Sequence, residues 1–96
     1  MNFEWDENKR QSNIKKHGID FSDAVKIFEG VTYIYRSKWS EYDEERFVAV
    51  GSLGEYEIAV VYTLRGGNIR IISARRARDI ERTLYYKEAG NKNNEQ

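Results

Sequence analysis

The spacing of the apolar residues changes near residue 32, and this change constrains the fold more than any other feature of the chain. Before it, the apolar residues follow the i, i+3, i+4, i+7 spacing of one face of an amphipathic helix. They are Phe21, Ala24, Val25 and Phe28. After it, large apolar residues alternate with period two, as on one face of a strand. They include Tyr56, Ile58, Val60 and Tyr62. The chain therefore predicts helices followed by strands.

Capping and turn residues divide this pattern into eight elements in the order β-α-α-β-β-β-β-α. Helix starts are expected at Asp6 and Asp20, and helix ends at Gly18 and Gly30. The predicted strands cover residues 2–5, 33–35, 47–50, 56–63 and 69–72, and the predicted helices cover residues 7–17, 21–28 and 77–89. Short turn-forming segments between the later strands favour hairpins. We therefore expect an α+β domain, an antiparallel sheet with packed helices.

Length and composition limit the class of protein. Ninety-six residues make one domain, which we place at 1–90, and the polar segment 91–96 is expected to be a disordered tail. The absence of cysteine excludes disulfides and thiolate metal sites, and a single histidine makes a zinc site improbable. No apolar run of about 18 residues predicts a membrane span, and no signal peptide is recognisable. The expected location is the cytoplasm, without membrane association.

A strongly basic segment stands out in a chain of zero net charge. Residues 65–82 carry six arginines against Asp79 and Glu81, a net of +4, whereas residues 19–64 carry a net of −5. Four of the arginines lie in residues 70–78, where a strand leads into the last helix. The planar fork of arginine suits phosphate. The segment is either a phosphate-binding surface or a salt-bridged helix start with Asp79 and Glu81 as partners.

Strand alternation and helical spacing assign directions to these side chains. On the strand, Ile72 and Ala74 are expected on one side, with Ile71, Ser73 and Arg75 on the other, so that Arg75 points away from Ala74. On the helix, two faces are expected. The apolar face consists of Ala77, Ile80 and Leu84, and the second face consists of Arg78, Arg82 and Tyr85.

The first helix is unusually polar, and its polar residues form a stripe. Lys9, Asn13 and Lys16 follow helical spacing, with His17 beside them. The stripe is either a solvated face or the wall of a site. His17 is either a residue favoured at a helix C-terminus or a general acid or base, because an imidazole can exchange protons near neutral pH.

The residue types at the two ends of the pattern suffice for RNA cleavage without a metal ion. Such cleavage needs a base for the 2′-hydroxyl, cations for the pentavalent phosphorane and an acid for the leaving oxygen. No carboxylate cluster has the spacing expected of a magnesium site. A nucleic-acid-binding module without catalysis, or a protein-interaction domain, remains an alternative. If the protein is an interaction domain, the strand face with Tyr33, Tyr35 and Trp39 could be a docking surface rather than part of the sheet core.

Two segments together resemble one known family. The first runs from Phe3 through Lys9, Asn13 and Lys16–Gly18 to Phe28, and the second from Arg70 to Tyr85. They are similar to the BrnT toxins of bacterial type II toxin–antitoxin modules, over residues 2 to about 86. The resemblance implies a RelE-like ribonuclease fold and RNA cleavage that inhibits translation. It also implies a BrnA-like antitoxin that binds the toxin in a hetero-oligomer and alone contacts operator DNA. No cofactor or metal is implied.

The resemblance also implies roles for individual residues. The expected catalytic residues are Lys9, His17, Arg75, Glu81 and Tyr85, and the expected RNA-binding residues are Arg65, Arg76, Arg78 and Arg82. Arg75 would contact the scissile phosphate. Proton transfer would be carried out by His17, Glu81 or Lys9. The sequence does not distinguish among these three candidates.

Overall fold

The computed structural model describes residues 1–38 and 44–94. Its strands are β1 (Phe3–Trp5), β2 (Tyr33–Arg36), β3 (Phe47–Leu53), β4 (Tyr56–Arg65) and β5 (Asn68–Arg76). Its helices are α1 (Glu7–His17), α2 (Phe21–Ala24), which continues as a 3₁₀ helix (Val25–Glu29), and α3 (Asp79–Asn94). The predicted order of elements is therefore confirmed, with the second helix divided into an α and a 3₁₀ part.

All five strands form one sheet, in the order β1-β5-β4-β3-β2. Strands β2 to β5 make the expected antiparallel meander. Strand β1, however, pairs parallel with β5, with Phe3 opposite Ile69 and Trp5 opposite Ile71. The sheet is therefore mixed, and the prediction of an antiparallel sheet is wrong at this edge. Hairpin turns determine only the strands that they join, whereas β1 is separated from β5 by most of the chain.

Each face of the sheet has its own apolar core. The face covered by α2 and the 3₁₀ helix holds the larger core, whose buried members are Ile19, Phe21, Ala24, Ile27, Ala49, Ile58, Val60, Tyr62, Ile69, Ile71 and Ala74. The opposite face, covered by α3, holds a smaller core of Val48, Val50, Ala59, Ala77 and Tyr85, with Tyr33 and Tyr35 packed against it. Trp39, predicted to share the face of these two tyrosines, lies outside the described residues.

The predicted helix caps are confirmed. The Asp6 carboxylate accepts hydrogen bonds from the backbone N–H groups of Asn8 and Lys9, and Asp20 accepts one from Ser22. Gly18 follows α1 with φ of 71°, a left-handed conformation that favours glycine. These caps turn the chain sharply between α1 and α2, so that α1 lies beside β5.

Asn13 fastens α1 to the edge of β5. Strand β1 covers that edge only as far as Ile71. Beyond it, the Asn13 side chain takes the place of a strand, since its oxygen accepts from the Ala74 N–H (3.1 Å) and its nitrogen donates to the Ala74 carbonyl (2.9 Å). The same nitrogen donates to the carbonyl of Ile19 (2.9 Å). Asn13 is buried, so this member of the predicted polar stripe is a structural residue.

A β-bulge in β5 changes which residues share a face. Val61 lies opposite Ser73 and Tyr62 lies opposite Ile71, which leaves Ile72 without a partner on β4. Ile71 and Ala74 consequently lie in the same core, and the prediction that they face opposite sides is wrong. After the bulge, Arg75 lies opposite Ala59, on the α3 side of the sheet. The predicted direction of Arg75, away from Ala74, is confirmed.

Helix α3 packs through a different face from the predicted one. The predicted apolar face included Ile80, which is 63% exposed, whereas Ala77, Glu81 and Tyr85 are buried. The helix takes this orientation because Glu81 forms an ion pair with Arg75 beneath it. Helix α3 also continues past Gly90, the predicted end. The domain limits at 90 and the disordered tail stay predictions. Within the described ranges, no helix is long and apolar enough to span a membrane.

Candidate active site

An ion pair between Arg75 and Glu81 lies where β5 passes into α3. The Nη1 of Arg75 donates to Oε1 of Glu81 (2.7 Å), and Nη2 donates to Oε2 (2.9 Å). Only two residues separate β5 from α3, and Glu81 in the first helical turn therefore folds back over the strand end. The side chains are 19% and 4% exposed, respectively. This two-point geometry holds the guanidinium plane in one orientation.

The Glu81 carboxylate accepts two further hydrogen bonds, from the Arg78 backbone N–H (2.8 Å) and from the Tyr35 hydroxyl (2.5 Å). Burial by itself would raise the pKa of Glu81, but the hydrogen bonds from Arg75, the Arg78 N–H and Tyr35 outweigh it and lower the pKa to about 2. Glu81 is therefore ionised at neutral pH. Burial, together with the hydrogen bond to Glu81, raises the pKa of Tyr35, so its hydroxyl keeps its proton.

Arg75 keeps donors that Glu81 does not use. Of its five N–H groups, two donate to Glu81 and a third donates to the Arg76 carbonyl (3.3 Å). The hydrogen bond to Glu81 raises the pKa of Arg75 despite its burial, so the group stays charged. The Tyr35 hydroxyl is a further hydrogen-bond partner of this guanidinium. Arg75 is therefore a charged group in a fixed position, with part of its side chain exposed.

Arg75 borders a groove of about 410 Å³ that carries four cationic side chains. Its walls are Tyr35, Arg36, Ser37, Lys38, Val48, Val61, Arg75 and Arg78. The Arg78 side chain is exposed, and within residues 1–38 and 44–94 no carboxylate pairs with it. Arg36 is paired with Glu45 at 2.6 Å but is largely exposed. We call this the cationic groove. Its charge and its fixed guanidinium suit a phosphodiester.

A second groove adjoins it between α3 and β2. It measures about 530 Å³ and is lined by Tyr33, Tyr35, Lys38, Arg78, Ile80, Glu81 and Leu84. Tyr35, Lys38 and Arg78 line both grooves. Most of the remaining wall is apolar. We call it the apolar groove.

Lys9 and His17 lie in a third groove, on the open edge of β5. It measures about 230 Å³ and is lined by Lys9, Ser12, Asn13, Lys16, His17, Ile72 and Ser73. Lys9, Lys16 and His17 are exposed. The structure thus brings the two predicted catalytic residues of α1 together but does not bring them into contact with Arg75 or Glu81. Ser73 lines this third groove and precedes Arg75 on β5 by two residues. Two residues span about 7 Å along a strand.

Tyr85 lies one helical turn after Glu81 on α3 but lines neither the cationic nor the apolar groove. It is 8% exposed and packs in the core beneath α3. Its hydroxyl lies 2.9 Å from the Ser52 Oγ on β3. In this position Tyr85 joins α3 to the sheet.

The other predicted RNA-binding arginines are spread over the molecule and engaged with the protein. Arg65 pairs with Glu44 (3.0 Å). Arg76 lies over the Tyr56 ring, 3.9 Å from its centroid, with Tyr56 packed against the core of the other sheet face. Arg82 pairs with Asp79 and donates to the Ala77 carbonyl (3.1 Å). The interpretation as a salt-bridged helix start is thus confirmed for Arg75 and Arg82. Arg78 is exposed and has no carboxylate partner among the described residues.

Sequence reasoning missed three residues that line the cationic groove: Tyr35, Arg36 and Lys38. All three belong to β2 or follow it directly. The alternation of Tyr33 and Tyr35 did indicate that they share a face. The contact between Tyr35 and Glu81 joins residues 46 positions apart and has no local signal. In the described part of the chain, no three histidine or acidic side chains come together as a metal site requires.

Comparison with known proteins identifies the family of this chain. Residues 5–81 match the family described as "Ribonuclease toxin, BrnT, of type II toxin-antitoxin system". Among solved structures, the 1.1 Å crystal structure of the Brucella abortus ribonuclease toxin BrnT superimposes with a TM-score of 0.65 and 35% sequence identity, covering 82% of this chain and 99% of that one. Comparison with curated protein sequences gives no match. The chain belongs to the BrnT family of ribonuclease toxins of type II toxin–antitoxin systems.

Proposed function

We propose that this toxin cleaves RNA at the cationic groove without a metal ion, and that Arg75 binds the scissile phosphate. The observation that carries the proposal is the orientation of Arg75 by the buried Glu81 carboxylate, in a groove that Arg75 shares with the exposed side chain of Arg78. A guanidinium held in place before the reaction stabilises negative charge on a phosphorane without reorganisation. The proposal includes the RelE-like ribonuclease fold that the resemblance to BrnT toxins implies.

Glu81 is proposed to position Arg75 rather than to exchange a proton. A carboxylate with a pKa of about 2 that accepts four hydrogen bonds is a weak base at neutral pH. Of the three candidates for proton transfer, this leaves His17 and Lys9, in the groove beside Ser73. An RNA strand that follows the end of β5 from Ser73 to Arg75 would contact both places.

The proposed partner is a BrnA-like antitoxin, encoded with the toxin, which neutralises it in a hetero-oligomer. Contact with operator DNA is proposed to occur only through the antitoxin. Both proteins would act in the cytoplasm, where the mRNA substrate is translated. Family membership supports this partnership. Copurification of the tagged toxin with the product of an adjacent antitoxin gene would test it.

Incubation of purified toxin with an RNA transcript in EDTA tests the chemistry. We expect defined fragments in EDTA and no increase on adding Mg²⁺. Arg75→Lys keeps a positive charge beside Glu81 but loses the fork, and should lower the cleavage rate by at least about 100-fold. The matched control is Arg70→Lys, because Arg70 is an ion-paired arginine on the same strand, with Glu4 as its partner (2.7 Å), outside the cationic groove.

Three results would contradict the proposal. Cleavage that needs added Mg²⁺ would exclude a metal-free mechanism. Equal losses in Arg75→Lys and Arg70→Lys would show that any disturbance of β5 lowers activity. A gel shift with RNA that stays intact would make the protein an RNA-binding module.

A further inference from the structure

The apolar groove has walls of a kind that flat aromatic ligands prefer. One wall is α3, where Ile80 and Leu84 are one helical turn apart on the same face. The other is β2, where the half-buried rings of Tyr33 and Tyr35 lie with centroids 6.0 Å apart. Ile80 is 63% exposed, so its side chain is accessible to a ligand in the groove. The volume of about 530 Å³ lies within the range of small-molecule sites.

The apolar groove is continuous with the cationic groove, and this continuity identifies the class of ligand. Tyr35, Lys38 and Arg78 line both. A ligand that occupies the two together must carry an anion at one end and an apolar, planar group at the other. A nucleotide has this chemistry. Single-stranded RNA is bound in this way when an unstacked base lies against aromatic side chains and its phosphate is held by arginine.

We propose that the apolar groove is a nucleobase subsite that binds a base adjacent to the phosphate held by Arg75 and Arg78. Tyr33, Ile80 and Leu84 contact the base, and their shape determines which bases are accepted. The inference rests on the proposed function and deepens it, because it names residues that determine the site of cleavage. Tyr33 and Leu84 lie outside the basic segment, and Ile80 is an apolar residue within it.

The test compares cleavage of three RNA oligonucleotides. The first has a sequence that the wild-type toxin cleaves, and each of the other two lacks one base, either on the 5′ side or on the 3′ side of the cleaved bond. The variants are Tyr33→Leu, which keeps apolar volume but removes the ring, and Ile80→Ser, which alters an exposed residue and leaves the fold intact. Tyr86→Leu is the control, since Tyr86 is a 57% exposed tyrosine of the same helix that does not line the groove.

We expect the wild type and Tyr86→Leu to cleave one abasic oligonucleotide with kcat/KM lower by roughly tenfold, about what one stacked base contributes. Tyr33→Leu and Ile80→Ser should show a similar loss on the intact oligonucleotide and little further loss on the abasic one. The proposal is overturned if the wild type does not distinguish the substrates, or if both variants distinguish them as the wild type does.

Two other results would overturn the proposal for different reasons. If Tyr33→Leu and Ile80→Ser cleave normally but are no longer neutralised by the antitoxin, the groove is a protein-docking surface and the nucleobase proposal is overturned. If the wild type cleaves no RNA at all, the proposed function fails first, and the subsite fails with it.

Discussion

Arg75 and Glu81 join the end of β5 to the first turn of α3 by two parallel hydrogen bonds, 2.7 Å and 2.9 Å long. Glu81 is 3% exposed, and its other donors come from Tyr35 on β2 and from the backbone of Arg78. One buried carboxylate therefore connects three segments of the chain. The arginine proposed to bind substrate is also the counter-ion that this carboxylate requires, so catalysis and stability depend on the same pair.

The first prediction concerns that double role. Arg75→Ala should lower the free energy of unfolding by about 3–5 kcal/mol, because it leaves the Glu81 charge buried without its partner. Loss of activity in this variant would then combine unfolding with loss of a phosphate ligand. The double variant Arg75→Met, Glu81→Gln should recover much of the stability but none of the activity. Urea unfolding of the single and double variants measures the coupling. An Arg75→Ala protein as stable as the wild type would show that the pair is not a structural contact.

The second prediction is a loss of stability in acid that depends on Glu81. The pKa of Glu81 is lowered in the folded protein to about 2, from an ordinary value of 4.5. The stabilisation is therefore fully present above about pH 4.5 and is lost as the pH falls toward 2. Its size is on the order of 2–3 kcal/mol. Unfolding free energies measured between pH 2 and 7 should fall less steeply in Glu81→Gln.

Asp20 provides a comparison for this titration. Its pKa is also lowered, mainly by the hydrogen bonds from Arg10, so it contributes in the same acidic range. Asp20→Asn should therefore flatten the same part of the curve by a separate amount, additive with Glu81→Gln because the two sites share no partner. An unchanged acid dependence in Glu81→Gln would contradict the assignment.

Features governed by short-range spacing were predictable from the sequence. Asp6, Gly18 and Asp20 terminate helices because a cap depends only on residues within one turn. The alternation from Tyr56 to Tyr62 placed one face of β4 correctly for the same reason. Of the candidate site residues, Arg75 was given its correct direction because it directly follows the core residue Ala74 on the same strand, beyond the bulge.

Features that depend on distant partners were not predictable in this way. The apolar spacing of α3 favours Ile80 as a core residue, yet burial of Glu81 against Arg75 and Tyr35 turns a different face of the helix to the sheet. The parallel pairing of β1 and the bulge at Ile72 likewise follow from packing across the sheet. The sequence predicted phosphate binding for the basic segment, but most of its other arginines have carboxylate or aromatic partners in the fold.

The third prediction concerns Asn13, which the sequence grouped with exposed polar residues. Asn13→Ala removes three hydrogen bonds and leaves the buried N–H and carbonyl of Ala74 without partners. We expect a loss of about 2–4 kcal/mol in the free energy of unfolding, since each unsatisfied buried group costs about 1–3 kcal/mol. Ser12→Ala, at an exposed neighbouring position, is the control and should change stability by less than about 0.5 kcal/mol. Equal stabilities of the two variants would mean that water or a neighbouring residue replaces the amide.

The fourth prediction concerns Arg78, an exposed cation of the cationic groove. Arg78→Gln removes a side chain with no carboxylate partner in the described ranges, so the fold should be unaffected. RNA binding should weaken, and the slope of log K against log salt should become shallower by about 0.7, the value for one phosphate contact on a single strand. Lys26→Gln removes the same charge at an exposed position outside the groove and should leave the slope unchanged. Equal slopes in both variants would show that only overall charge attracts the RNA.

The fifth prediction tests whether α1 supplies the group that transfers a proton. His17 and Lys9 share a groove with Ser73, which precedes Arg75 on β5. If His17 transfers the proton, His17→Asn should lower kcat by about 100-fold or more and leave KM nearly unchanged. Lys15→Gln, an exposed substitution on the same helix but outside the groove, should retain the wild-type rate. A His17→Asn enzyme with the wild-type kcat would restrict this residue to stabilising the C-terminus of α1, and the same measurement on Lys9→Gln would then decide whether the lysine is the proton-transfer group.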